Sequence, residues 1–129
     1  MATRNHSKKR EAILAKLRST TSHPTAEWVY LELKEDFPDL SLATVYRNIG
    51  LFKKEGEIIS VGTVAGQERF DGNPAPHGHF VCRLCQAVID IEKAESSPEV
   101  LTLLECKGFQ VDRVDITAYG TCNTCLEVR

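Results

Sequence analysis

The sequence predicts an α+β chain in which an N-terminal winged helix-turn-helix domain, residues 1–71, is joined by a linker, 72–78, to a small α/β domain with a four-cysteine zinc site, 79–129. Three observations carry this reading. Apolar residues recur at helical spacing in three successive segments before residue 56, and two short strand-like runs follow. The stretch Asp71-Gly72-Asn73-Pro74-Ala75-Pro76-His77-Gly78 can continue neither a helix nor a central strand. Two Cys-x-x-Cys pairs, Cys82/Cys85 and Cys122/Cys125, stand in the second part with 36 residues between them.

The elements are justified in order. Residues 8–18 set Ile13, Leu14 and Leu17 as an apolar stripe between charged positions. After the break at His23-Pro24, a second helix begins near Thr25. Ala26, Val29, Tyr30, Leu33 and Phe37 recur along it, and Pro38 ends it. Ser41 can cap a third helix, because its hydroxyl can accept a first-turn N–H. Leu42, Val45, Ile49 and Phe52 line one side of that helix, Thr44, Arg47 and Lys54 turn away, and Gly56 suits the position just past its end. Residues 58–61 and 67–70 are short strands joined across Gly62 and Gly66. Three helices and a hairpin make a winged helix-turn-helix, with the third helix as the candidate for a DNA major groove.

In the second part, residues 79–82 and 87–91 read as strands flanking the first cysteine turn. Residues 98–107 read as a helix carrying Val100, Leu101, Leu103 and Leu104, closed by Gly108, and 109–119 as a last strand with Val111, Val114 and Ile116. A unit of about 50 residues has a marginal core, so a structural metal matters. Its open strand edges favour pairing with a second copy about a twofold axis, which makes it a dimerisation domain. Cys106 falls outside both pairs and reads as a buried helix residue.

Charge narrows the partners once the chain is divided. The formal net charge is -2, yet residues 1–60 carry ten Lys/Arg against eight Asp/Glu, and residues 61–129 carry six against ten. Within the first 22 residues Arg4, Lys8, Lys9, Arg10, Lys16 and Arg18 face Glu11 alone, a basic front that suits nucleic-acid phosphates. There is no apolar run long enough to cross a bilayer and no secretory leader, so no membrane partner is expected, and a cytoplasmic chain with reduced thiols is.

Two sets of side chains point to metals. Cys82, Cys85, Cys122 and Cys125 can arrange four thiolates tetrahedrally around a structural Zn(II), tying the ends of the small domain together. Four thiolates leave no open position for water. The residues before Cys82, His77-Gly78-His79-Phe80-Val81, also lack the His-x-Glu and Pro-Cys of a zinc deaminase, so no enzyme is expected. His23, Asp71, His77, His79 and Asp90 offer imidazole nitrogens and carboxylate oxygens, a mixed set suited to Fe(II), Mn(II) or Zn(II). His23 taken alone also reads as a capping or surface residue.

Thr44-Val45-Tyr46-Arg47-Asn48 followed by Leu51-Phe52-Lys53-Lys54-Glu55-Gly56 resembles the recognition-helix signature of the Fur (ferric uptake regulator) family. His77-Gly78-His79-Phe80-Val81-Cys82-Arg83-Leu84-Cys85 resembles that family's metal signature, and Tyr119-Gly120-Thr121-Cys122-Asn123-Thr124-Cys125 its second zinc pair. The resemblance runs from about His6 to Cys125. It implies a homodimeric, metal-activated transcriptional repressor that binds palindromic operator double-stranded DNA and has no organic cofactor. It also implies regulatory Fe(II) or Mn(II) on His23, Asp71, His77, His79 and Asp90. Aspartate at both carboxylate places resembles the peroxide-responsive members, in which Fe(II)-catalysed oxidation of ligand histidines, here His23 and His77, releases DNA. The alternative it implies is a repressor of iron or manganese homeostasis. A histidine that belongs to a further site in iron-uptake members is replaced here by Val114, so a second sensory site is not expected. Tyr46 and Arg47, with Lys53 and Lys54 behind them, are the candidate DNA contacts.

Overall fold

A computed structural model describes residues 2–75, 77–91 and 98–127, with side chains from residue 7 onward. Pro76 of the linker and the Arg4 side chain of the basic front lie outside what it describes. The chain divides into two units, Met1–Pro74 and Ala75–Arg129.

The first unit holds α1 (Ala2–Arg18), α2 (Ala26–Leu33), α3 (Leu42–Glu55), β1 (Ile59–Val64) and β2 (Gln67–Asp71). Its core joins Ile13 and Leu17 of α1, Ala26, Val29 and Leu33 of α2, Val45, Ile49 and Phe52 of α3, and Leu40, Ile58 and Phe70. Full burial of each large apolar side chain contributes about 1.5–3 kcal/mol, which outweighs any helix propensity in this unit. The limits of α3 are local chemistry. Ser41 Oγ accepts the Thr44 N–H at 3.1 Å, and Gly56 closes the helix in the left-handed conformation, φ 77°, while the Glu57 N–H reaches back to the Phe52 carbonyl at 2.9 Å.

Several expected limits move. Helix α1 starts at Ala2 rather than residue 8, because its first turns are polar and carry no apolar period to reveal them. Helix α2 stops at Leu33, and the Phe37 N–H then turns back to the Leu33 carbonyl at 2.9 Å, so Phe37 meets the core from a turn. Strand β1 starts at Ile59 and does not end at Val61. It bulges between Ser60 and Gly62 and continues to Val64, and Ala65 and Gly66, both at positive φ, form the two-residue turn into β2.

The second unit holds β3 (Gly78–Cys82), β4 (Val88–Ile91), α4 (Pro98–Cys106), β5 (Thr117–Gly120) and α5 (Asn123–Glu127). The sheet order is β4-β3-β5, with β4 antiparallel and β5 parallel to the central β3. The last strand is four residues long, since among the described residues only Thr117–Gly120 pairs with β3, just after the Ile116 carbonyl that accepts the His79 N–H at 3.0 Å; the apolar residues at 111 and 114 make no ladder. Helix α4 buries none of its side chains, and Cys106 at its end is exposed, which corrects the reading of it as buried. No helix of the described residues is long and apolar enough to cross a membrane.

Candidate metal centres and recognition surface

The parallel register Cys82↔Gly120 brings the end of β3 beside the end of β5, so the two cysteine pairs open at the same edge of the sheet. Cys82 closes β3, Cys85 sits in the turn after it, Cys122 follows β5, and Cys125 lies in α5. Cys82 Sγ stands 3.8 Å from Cys125 Sγ, and Cys85 Sγ stands 3.8 Å from Cys122 Sγ. A tetrahedron with zinc–sulfur arms of about 2.3 Å has edges of about 3.8 Å, so the spacing and the donor type both fit zinc. The N–H groups of Cys85 and Cys122 point at Cys82 Sγ, at 3.5 and 3.4 Å, and hold its thiol down to about 6. Cys125, crowded by the Cys122 thiol, by burial and by Cys82 and Cys85, is pushed up to about 12. A cation among the four sulfurs would let all of them ionise together.

The second unit also carries a compact group of two imidazoles and one carboxylate. His79 on β3 and Asp90 on β4 are direct cross-strand partners, so sheet register alone sets them face to face. Asp90 Oδ1 lies 2.8 Å from His77 Nε2 and 3.2 Å from His79 Nε2, and both rings are almost fully buried. His77 Nδ1 lies 2.6 Å from the Ala75 carbonyl, and donating its proton there leaves the Nε2 lone pair facing the Asp90 oxygen. Two imidazoles aimed at one carboxylate oxygen need protons or a cation between them. Ring-nitrogen and carboxylate donors at this spacing fit a divalent Fe, Mn or Zn ion.

In the first unit His23 Nε2 stands 3.2 Å from Asp71 Oδ2, with the two side chains 1% and 8% exposed. His23 is therefore neither a surface residue nor a helix cap; the cap of α2 is Thr25, whose side chain accepts the Trp28 N–H. Asp71 ends β2 and accepts the Asn73 N–H on Oδ1 at 2.8 Å, which orients Oδ2 toward His23. The His23 backbone lies at φ 56°, the left-handed region. Arg69, two residues before Asp71, donates from Nε to the His23 carbonyl and from Nη2 to the Ser22 carbonyl at 2.7 Å. The sequence reading missed Arg69. Its signal was the i, i+2 alternation that sets it on the same face of β2 as Asp71.

The candidate DNA contacts are all exposed on or beside α3. Tyr46 donates its hydroxyl to Glu27 of α2, and this hydrogen bond pushes the phenol above its usual range. Lys53 pairs with Glu68 of β2 at 3.0 Å. Much of the basic front is also engaged within the unit: Lys9 with Asp39 at 2.9 Å, Arg10 with Glu55 at 2.6 Å and Arg18 with Glu57 at 2.7 Å. Arg47 and Lys54 are exposed and form no ion pair among the described residues.

A three-helix unit with a β-hairpin, followed by a β-rich unit that carries a four-sulfur group and imidazole–carboxylate donors, is the architecture of a transcriptional regulator with candidate metal sites. The chain belongs to the ferric uptake regulator family, whose model matches residues 3–119. It is 33% identical over 116 residues to the peroxide-responsive repressor of Staphylococcus aureus, a match covering 90% of this chain and 78% of that protein. The Campylobacter jejuni peroxide stress regulator superposes with a TM-score of 0.79 at 26% identity, over 94% of this chain and 91% of that one. The Helicobacter pylori ferric uptake regulator shares the fold, with a TM-score of 0.75 at 20% identity, over 96% of this chain and 86% of that one.

Proposed function

We propose that the protein is a homodimeric repressor that binds palindromic operator DNA while a regulatory Fe(II) or Mn(II) ion is bound, and that it senses peroxide through the Fe(II) form. The observation that carries this reading is the pair of carboxylate–imidazole groups, buried His23/Asp71 in the first unit and His77/His79 with the half-buried Asp90 in the second. Neither group alone fills the roughly four to six positions that such ions take. One ion drawing on all five residues would bind only when the two units are brought together, and it would favour that arrangement to the extent that it binds it more tightly than any other. Zn(II) on the four cysteines would serve as the fixed brace of the second unit.

Fe(II) held by these residues would supply the electrons that cleave the O–O bond of hydrogen peroxide and would regain them as the ring is oxidised. The net change in the chain is insertion of one peroxide oxygen at an imidazole C–H of His23 or His77, while the other oxygen leaves as water. An oxidised ring is a poorer donor, so the ion is lost, the units are released from one another and the operator is vacated. The likeness to the S. aureus peroxide-responsive repressor supports peroxide over simple iron sensing. For the dimer, the support is the apolar surface of the second unit, where Ile89, Ile91, Leu103, Phe109, Tyr119 and Leu126 are exposed. Among the described residues no further strand pairs with the outer edge of β4 or β5.

Operator binding by Fe(II)- and Mn(II)-loaded protein, before and after limited peroxide, tests the reading, with peptide masses taken on the same samples. One oxygen added on His23 or His77 only with iron, in step with DNA release, is the expected result. Iron-loaded protein that stays on DNA and unmodified after peroxide would instead mark a repressor of metal homeostasis.

A further inference from the structure

We propose that Arg69 is a positioning residue of the regulatory metal site, acting on His23 through the backbone; this rests on the reading of His23 and Asp71 as metal ligands. His23 sits at φ 56°, in the left-handed region that few non-glycine residues adopt and histidine enters more readily than most, and here the surroundings hold it. The hold comes from two consecutive residues of β2. Arg69 takes the Ser22 and His23 carbonyls with two arms of its guanidinium, and the Phe70 N–H takes the Pro24 carbonyl at 3.0 Å. Three successive carbonyls of the 22–24 loop are thus bound by one stretch of strand.

The geometry is specific to arginine. Two carbonyls on adjacent residues match a rigid, planar fork, whereas an ammonium is a point donor without that shape. Because side chains alternate across a strand, Arg69 and Asp71 project from the same face of β2. Arg69 grips the backbone of the loop while Asp71 faces the ring that the loop presents, Nε2 to Oδ2 at 3.2 Å. Phe70, between them, points the other way into the core and anchors the strand. Strand β2 therefore fixes the imidazole from both ends. Without the fork, the His23 ring would keep its chemistry and lose its aim.

The test is Mn(II) affinity of the full-length, zinc-loaded protein, measured by calorimetric titration for the parent and for Arg69→Met, Arg69→Lys, His23→Ala and the His23→Ala/Arg69→Met double variant. Zinc content and the thermal melt check that each is folded. Loss of an outer contact to a metal ligand weakens binding by about 10–100-fold, and Arg69→Met is expected to fall in that range, with Arg69→Lys recovering only part. The double variant should bind no more weakly than His23→Ala alone, because Arg69 acts through His23. A merely structural role would instead make the two losses multiply, and that would overturn the proposal. Should Arg69→Met fail to fold, Arg69→Lys, which retains the charge, is compared with the parent and with His23→Ala in the same way. Parent-like affinity in the folded Arg69 variants beside a loss in His23→Ala would overturn the role of Arg69 alone. Parent-like affinity in His23→Ala would overturn the five-donor reading itself, and the role of Arg69 with it.

Discussion

Tyr46, on α3, donates its hydroxyl to Glu27, which stands in the first turn of α2, four residues after His23. The candidate metal ligand and the candidate recognition helix are thereby linked within one unit by Pro24, the Thr25 cap and a single side-chain hydrogen bond. The bond stabilises the neutral phenol, so Tyr46 titrates above its ordinary range. Its contribution to stability is fully present below the unfolded phenol pKa of about 10 and is lost as pH rises through the higher folded value. Replacing Glu27→Gln should move one tyrosine titration, followed by phenolate absorbance, to lower pH. An unchanged curve would show that the bond does not form in solution.

Arg47 and Lys54 carry exposed charge that no acid of the first unit offsets, while Lys53 must first leave Glu68. Arg47→Ala should weaken operator binding by roughly tenfold or more, the scale of a lost base or phosphate contact, and leave metal content unchanged. Lys54→Ala should weaken all sequences alike and flatten the salt dependence by about one counterion. Binding curves at several salt concentrations separate the two effects.

Among its described residues the second unit buries few apolar side chains besides Val81 and Val88, so its folding leans on the four sulfurs. Cys122→Ser should abolish zinc retention and lose the sheet β4-β3-β5, while the first unit keeps its helices. Metal analysis with far-ultraviolet circular dichroism reads both. A Cys122→Ser protein with an intact second unit would count against the brace.

Gly72 follows Asp71 and packs directly on the end of α1. A Cβ there would lie 2.9 Å from Arg18 Cα and 2.9 Å from the Leu17 carbonyl oxygen. Neither atom can rotate away. Gly72→Ala should therefore destabilise the first unit by about 1–3 kcal/mol, read by chemical denaturation, and shift the strand end that presents Asp71.

What was legible in the sequence was what local chemistry decides. Ser41 and Gly56 bound α3 because a cap and a left-handed terminator each act within a turn, and the two Cys-x-x-Cys pairs declare their chemistry by spacing alone. Long-range pairing was less legible. Residues 109–115 have apolar members without a strand partner among the described residues, so β5 begins only at Thr117, just after the Ile116 carbonyl first meets β3. Helix α5 around Cys125 was missed because five residues give no periodicity. The candidate donors His23, Asp71, His77, His79 and Asp90 could be named as residue types. The Arg69 grip on the 22–23 carbonyls and the Glu27 partner of Tyr46 could not, because each depends on a backbone group or helix brought near by folding.

The parallel neighbours β3 and β5 run to the same edge, each delivering a cysteine pair there. With one metal on all four sulfurs, the stretch from Cys85 to Cys122 becomes a closed ring in the connectivity of the chain. A protease cut inside that ring would open it without freeing either piece. The nicked protein would travel as one species until a chelator let the fragments part.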